Sequence, residues 1–250
     1  MLLRSISKHV KDQNWFAVVL DFLIVVVGIL IAFQITSWNE SRQDRDAEQR
    51  YLAELARDLE ADIAEIQAAK KLSLSSLAIS ELVLEISAPG YKRPSFWPAI
   101  EEVVAPQESL LSYPYSALVT RPYLISTNST FEELIQSGSI SVLTNRTLVS
   151  DLTKFYKDLR ENTNDEKALH NQTNITMNYF SDLGIGLGDS ATLETLQALA
   201  IKDTRFLGRV KSIAFFSNWQ YLRLNRIESD ANALLSTVNA ERDNKHEAPK

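Results

Sequence analysis

A run of twenty residues near the N-terminus, Phe16 to Ile35, constrains the fold of this chain more than any other feature. Only Asp21 and Gln34 are strongly polar within it. At about 1.5 Å per helical residue the run spans roughly 30 Å, which is the thickness of the hydrocarbon core of a bilayer. Trp15 and Trp38 flank the run at positions that aromatic residues favour at a membrane interface. The sequence therefore predicts a single transmembrane helix.

The residues that follow the run distinguish a permanent anchor from a cleaved signal peptide. A signal peptide has a shorter apolar centre and is followed by a small-x-small cleavage site. Here the run continues into QITSWNESRQDRD, which contains no such site. We therefore expect a retained signal-anchor, with a short tail over residues 1–15 and the membrane helix over residues 16–38.

The orientation of the span is not fixed by the flanking charges, because Lys and Arg occur on both sides. The commoner plan for such an anchor keeps the short N-terminal tail in the cytoplasm and translocates the long C-terminal domain. In a bacterium this plan predicts an inner-membrane protein with a periplasmic domain.

Three residues within the span are candidate contacts to the membrane or to a partner: Asp21, Gly28 and Gln34. Asp21 lies roughly 7 Å inside the cytosolic end of the helix, where headgroup water can solvate it or another chain of an oligomer can contact it. A proton relay is a third alternative, although a single span offers no second carboxylate. Gln34 is placed for an interhelical hydrogen bond, whereas Gly28 is interpreted as lacking a small residue four positions away on either side that would complete a GxxxG pair.

The segment after the span is predicted to continue as helix, since it contains no Pro or Gly before Pro89. Its apolar residues recur at helical spacing, at Leu52, Leu55, Leu59, Ile63 and Ile66. The sequence therefore predicts one continuous helix from about residue 15 to 87. The stripe drifts after residue 70, so the helix either faces the core of a bundle or forms a self-associating coiled coil.

Six of the seven prolines fall between Pro89 and Pro122. They predict an irregular connection over residues 89–128, with one helical turn around residues 99–104. The aromatic residues in it need burial, which would pin the loop onto the bundle. Alternatively, they contact a partner or ligand, because long loops are often functional. The candidate contact residues are Phe96, Trp97, Tyr113 and Tyr115.

The C-terminal part reads as a series of helices over residues 129–243, followed by a flexible tail over 244–250. Ser129 or Thr130 is expected to cap a short helix that Gly138 ends, with an extended link over residues 139–143. Thr144 or Asn145 then opens a helix with a core stripe at Leu148, Leu152, Phe155 and Leu159. A glycine-rich turn at 184–188 follows, with Asp189 or Ser190 capping the next helix. The final helix, from about 204 to 243, carries a stripe at Phe206, Val210, Ile213, Ser217, Tyr221, Leu224, Ile227, Ala231, Leu234 and Val238.

The fold class that these elements predict is mainly α. A single N-terminal transmembrane helix continues into a stalk over residues 39–88 and an extracytoplasmic helical bundle, which together form a domain over residues 39–243.

Few residues in this chain support chemistry. Cysteine is absent, and the three histidines His9, His170 and His246 lie far apart in sequence. The sequence contains no Ser-His-Asp order, metal-ligand spacing or phosphate loop. With a net charge of −6 and no dense basic cluster, nucleic acid is not an expected partner. We expect a non-enzymatic protein without catalytic residues, cofactor or metal, and nothing in the sequence indicates a small-molecule ligand.

Two segments resemble an uncharacterised family of bacterial single-pass membrane proteins: VVVGILIAFQITSWNE, residues 25–40, and TFEELIQSGSISVLTNRTL, residues 130–148. In this family an N-terminal span ends in a GILIA-x-QI-x-x-WNE signature and a helical domain follows. The resemblance implies bacterial origin and this topology, and it supplies no catalytic residue. It also directs attention to Trp38, Asn39 and Glu40, which either anchor the helix at the interface or form a docking surface for another membrane subunit.

These observations favour a structural or accessory protein that forms a homo-oligomer or is attached to a larger membrane complex. Its expected partners are the lipid bilayer and either a membrane protein or a second copy of itself. An extracytoplasmic ligand-sensing bundle is the alternative, although a cytoplasmic portion of about 14 residues offers no output domain. A membrane-surface enzyme is the third possibility.

Overall fold

The fold is described from a computed structural model of the chain, which describes residues 15–97, 114–120, 124, 126–186, 189 and 191–247. Side chains are described in the same ranges except at residues 15–17, 162–172 and 245–247. Within these ranges every regular element is a helix, so the predicted mainly α fold is confirmed. We label the α-helices α1 (Trp15–Ser87), α2 (Pro114–Val119), α3 (Ser129–Gln136), α4 (Arg146–Asp182), α5 (Leu193–Lys202) and α6 (Thr204–Glu247), and a 3₁₀ helix covers Ser139–Val142.

Helix α1 extends from Trp15 to Ser87, as the absence of Pro and Gly between the span and Pro89 predicted. It contributes to two compact units, residues 1–50 and residues 51–250. In the first unit the apolar segment is long and apolar enough to cross a membrane, and none of its most apolar window is buried by the protein. Large apolar side chains from Val18 to Ile35 are therefore exposed, which suits a helix whose solvent is lipid.

The second unit is a bundle whose first core joins α1, α3, α4 and α6. The predicted stripe from Leu52 to Ile66 is buried there, together with Leu148, Leu152, Phe155 and Leu159 of α4. The second half of the α6 stripe, from Leu224 to Val238, completes this core. Because the stripe of α1 is covered by other helices of the same chain, α1 is a core-facing helix of a bundle and not a self-associating coiled coil over these residues.

A second core lies further along the same helices. It contains Leu77, Ile79, Val83 and Leu84 of α1 and Phe206, Val210 and Ile213 of α6, and it adds residues of α2, α4 and α5. Phe180 of α4 lies at its centre, with its ring centroid 4.3 Å from that of Tyr115 and 5.1 Å from that of Phe206. All ten residues of the stripe predicted for the last helix are buried.

Buried serines interrupt the apolar face of α1 between the two cores and at the start of the second core, and they explain why the apolar stripe drifts after residue 70. Ser73 and Ser80 donate to the carbonyl oxygens four residues earlier, at 3.1 and 2.7 Å. Ser217 of α6 donates to the hydroxyl oxygen of Ser76 across 3.0 Å. Since these hydroxyls are satisfied within the bundle, a polar layer can replace the apolar stripe without exposing this face of the helix.

A partly buried polar cluster also joins α1 to α6. Lys70 donates to Asn225 at 2.7 Å and forms an ion pair with Glu228. Gln67 donates to the other carboxylate oxygen of Glu228 at 2.8 Å. The cluster holds the register of the two helices at the level where the first core ends.

Two predicted links have a different local structure. The segment after Gly138, predicted to be extended, forms the 3₁₀ helix, which delivers Leu143 into the first core. The expected helical turn at 99–104 lies outside the described residues. A later part of the connection, predicted to be irregular, contains α2, which begins at Pro114. A proline is compatible with the first turn of a helix, where its missing N–H has no intrahelical partner, so Pro114 starts a helix that the proline count argued against.

The capping predictions were partly right. Asn145 caps α4 by accepting a hydrogen bond from the Leu148 N–H at 3.0 Å, as expected. Helix α5 is capped by Thr192 and not by Asp189, which instead accepts from the Gly186 N–H at 2.6 Å and closes the preceding turn. Ser190 lies outside the described residues. Helix α6 begins where expected and extends to Glu247, so residues 244–247, which were predicted as part of a flexible tail, are helical.

Candidate functional site

The candidate contact residues of the membrane segment are exposed on α1. Asp21, Gln34, Asn39 and Glu40 are exposed, and 62% of Trp38 is accessible. A Cβ added at Gly28 would meet no atom within 4 Å. The surface of α1 that these residues occupy is therefore open to lipid or to a partner.

Helix geometry divides these residues among three faces, with Glu40 about 100° around the helix axis from Asp21 on the side away from Gln34 and Trp38. Five turns contain eighteen residues, so Asp21 and Asn39 lie on the same face, with Gly28 between them. Gln34 and Trp38 lie on a different face, more than 90° away around the helix axis. The predicted contacts therefore do not form one surface.

The face that carries Gly28 also carries Ala32, one turn later. The interpretation that no small residue lies four positions from Gly28 was therefore wrong, because alanine is small enough to complete such a pair. Two small residues four positions apart let another helix approach closely. We call Asp21, Gly28, Ala32 and Asn39 the small-residue face of α1.

The loop residues predicted as partner or ligand contacts have different environments. Tyr115 is fully buried against Phe180, and Trp97 is buried in the same core. Both serve the alternative role, which is to pin the connection onto the bundle, and neither presents a contact surface. Phe96 is 63% exposed and retains the role of a candidate contact, whereas Tyr113 lies outside the described residues.

Two carboxylates of α1 bind the segment that enters α3. Asp58 Oδ2 accepts from the Thr130 N–H at 2.9 Å, and Asp62 Oδ1 accepts from the Thr127 N–H at 2.6 Å. The short helix has Asn128 at its N-cap position without a side-chain cap hydrogen bond, so the expected cap at Ser129 or Thr130 was wrong. Carboxylates from another helix take its place, since negative charge is favourable at a helix N-terminus.

Asp62 is the most strongly perturbed acid of this cluster. Burial raises its pKa to about 6 and outweighs the lowering effect of the Thr127 hydrogen bond. Its second carboxylate oxygen and the hydroxyl of buried Tyr156 have no hydrogen-bond partner among the described residues. Burial raises the pKa of Tyr156 as well, with Asp62 and Asp58 adding to the shift. Within the described part of the chain, no ion pair joins a cation to these two buried or half-buried acids.

A groove of about 670 Å³ runs between α4 and α6. Its walls carry Trp219 and Leu222, which are 38% and 45% exposed. Arg226 lies in the groove between Asp158 and Asp230, at 3.9 and 3.8 Å. The groove therefore combines exposed apolar surface with charges of both signs, a composition found at protein interfaces.

Nothing in the described part of the chain resembles a metal centre, since it contains no group of three or more acidic or histidine side chains that could hold an ion. Neither the curated proteins nor the solved structures yield a match to this chain. A family of unknown function, DUF6090, matches over residues 21–194. This range includes both segments that carry the resemblance to an uncharacterised family, and it ends before α6. The chain belongs to the family of unknown function DUF6090.

Proposed function

We propose that this protein is a non-enzymatic, membrane-anchored structural or accessory protein. It spans the inner membrane of a bacterium once, with its N-terminal tail in the cytoplasm and residues 51–250 in the periplasm. It works by association with a second copy of itself through the small-residue face of α1.

The observation that carries this proposal is the arrangement of the small-residue face. Gly28 and Ala32 are the only two small residues between Val18 and Ile35, and Asp21 and Asn39 place a polar group near each end of the same face. In lipid there is no hydrophobic driving force between helices, so close backbone packing and interhelical hydrogen bonds drive association. A face with small residues in the middle and polar residues at the ends offers both.

The proposal is tested by the mass of the full chain purified in a mild detergent, measured by native mass spectrometry. We expect a dimer or higher oligomer for the native chain. Gly28→Leu and Asp21→Leu should shift the mass toward monomer, because the first replaces a small residue of this face with a large one and the second removes a polar contact. Gln34→Leu is the matched control, since it exchanges a polar residue for leucine on a different face and should leave the mass unchanged.

The alternatives give different results. A monomer that co-purifies with another membrane protein would make the chain a subunit of a larger complex, whereas a monomer without any partner would contradict the proposal. If Gln34→Leu weakened the association of the chains and Gly28→Leu did not, the contact would lie on the face of Gln34 and not on the small-residue face. A C-terminal alkaline phosphatase fusion, which is active only outside the cytoplasm, tests the orientation.

A further inference from the structure

A cavity of about 320 Å³ opens in the bundle where α2, α4 and the beginning of α6 meet. This volume falls at the small end of the range for sites that bind small molecules. The cavity has an apolar side, made by apolar side chains, and a charged side, made by two arginines.

The apolar side is part of the second core. Leu118 and Val119 of α2 and Ile213 of α6 line the cavity and are buried, and Phe216 is half-buried beside them. The α4 residues Thr173 and Thr176 also line it and are buried. The walls of this cavity would therefore cover the apolar body of a ligand, and they are rigid because these residues belong to packed helices.

The charged side is organised by Tyr179. The Arg209 guanidinium lies 4.9 Å from the centroid of the Tyr179 ring, and that of Arg205 lies 5.6 Å from it. Stacking on an aromatic ring fixes a guanidinium plane while leaving its N–H donors available. The two arginines that line the cavity are thus oriented by one side chain.

The acidic partner of this cluster does not neutralise both arginines. Asp203 accepts from the Tyr179 hydroxyl and pairs with Arg205 at 3.3 Å. Among the residues that the structure describes, Arg209 forms no ion pair with a carboxylate. The cavity therefore faces a partly buried, preoriented cation that pairs with no carboxylate of the described residues.

We propose that this cavity binds a small anionic amphiphile from the surrounding solution. Its carboxylate or phosphate head lies at Arg209 and Arg205, and its apolar body lies against Leu118, Val119, Ile213 and Phe216. A carboxylate or phosphate matches the paired N–H donors of a guanidinium. The cavity accommodates roughly ten non-hydrogen atoms at the volume of liquid water, which corresponds to a short-chain fatty acid or alkyl phosphate.

Binding is measured by isothermal titration with the full chain in phosphatidylcholine nanodiscs and hexanoate as the probe. We expect saturable binding of hexanoate. Acetate, which lacks the apolar body, and hexanol, which lacks the charge, should bind at least about tenfold more weakly, and hexylamine should not bind. Tight binding of hexylamine, or no saturable binding of either hexanoate or hexyl phosphate, would overturn the proposal.

Two variants locate the site. Arg209→Gln should weaken hexanoate binding by roughly ten- to a hundredfold, because it removes a charge-assisted hydrogen bond. Gly208→Leu should abolish binding, since Gly208 lines the cavity and an added Cβ meets no atom within 4 Å, so the larger side chain can occupy the space without a backbone clash. Lys211→Gln, a loss of the same charge on the same helix outside the cavity, should bind like the native chain.

Circular dichroism shows which variants are folded, and unchanged hexanoate affinity in folded Arg209→Gln would refute the site. A membrane lipid is the other source of an anionic head group joined to an apolar body. If nanodiscs that contain phosphatidylglycerol abolish hexanoate binding to the native chain, the head group recognised is that of a lipid, and the assignment to a soluble amphiphile is wrong.

Discussion

The carboxyl group of Asp62 is an acid whose ionisation the fold opposes. It is 1% exposed, and burial raises its pKa to about 6 from an ordinary value of 3.8. Because the folded-state pKa lies above the unfolded one, the native state favours the protonated acid. The stabilisation from this group is complete below about pH 4 and is lost as the pH rises through about 6.

Replacing Asp62 with Asn removes this pH dependence. The amide keeps an acceptor for the Thr127 N–H and carries no charge at any pH. We expect Asp62→Asn to gain free energy of unfolding relative to the native chain between pH 4 and 7, by up to about 3 kcal/mol. Urea unfolding at several pH values measures the gain. Asp182→Asn, at an exposed carboxylate, is the control, and parallel pH profiles of Asp62→Asn and the native chain would contradict the prediction.

At the scale of single elements, α3 depends on α1 for its N-terminus. A helix of eight residues is too short to be stable by itself, and its first N–H groups need acceptors. Asp58 supplies one of them, from a position 72 residues earlier in the chain. The start of this helix is therefore set by packing against α1 and not by a local cap.

Asp58→Ala should destabilise the bundle by about 1–2 kcal/mol, because it removes the acceptor of the Thr130 N–H and a favourable charge at the N-terminus of α3. Thermal unfolding followed by circular dichroism measures the loss. Glu60→Ala removes an exposed carboxylate two residues further along the same helix, and it should change stability by less than about 0.5 kcal/mol. Equal losses in the two variants would show that Asp58 does not cap α3.

At the scale of the whole molecule, the groove between α4 and α6 is a surface that joins apolar residues to charges of both signs. A surface with both signs can be self-complementary, which a symmetric interface between two copies requires. We therefore expect the groove to contribute to the self-association that we propose for the small-residue face of α1.

Leu222→Asp should raise the concentration at which the full chain dissociates by roughly tenfold or more, since it places a charge in the apolar part of the groove. Sedimentation velocity in detergent measures the change. Ile201→Asp makes the same kind of substitution at an apolar residue that is 63% exposed and does not line the groove, so it should have no effect. If both variants dissociate like the native chain, the groove is not an interface.

The sequence by itself determined the features that depend on composition and on local periodicity. A run of twenty residues with only two strongly polar members predicts a candidate span. The length and apolar composition of a segment decide whether it can cross a bilayer, and neither depends on the rest of the chain. The stripe of Leu52 to Ile66 and that of Phe206 to Val238 predicted buried faces correctly, since the helical repeat fixes which side chains share a face.

Only the tertiary structure decided the features that join residues far apart in sequence. It showed that Tyr115 and Trp97 are buried anchors, that Asp58 caps α3, and that Ser76 and Ser217 form a polar layer between two cores. It also brought Leu118 and Arg209 to one cavity. Local patterns carry no information on such pairings, because each depends on how the helices pack and on which buried polar group finds a partner across the bundle.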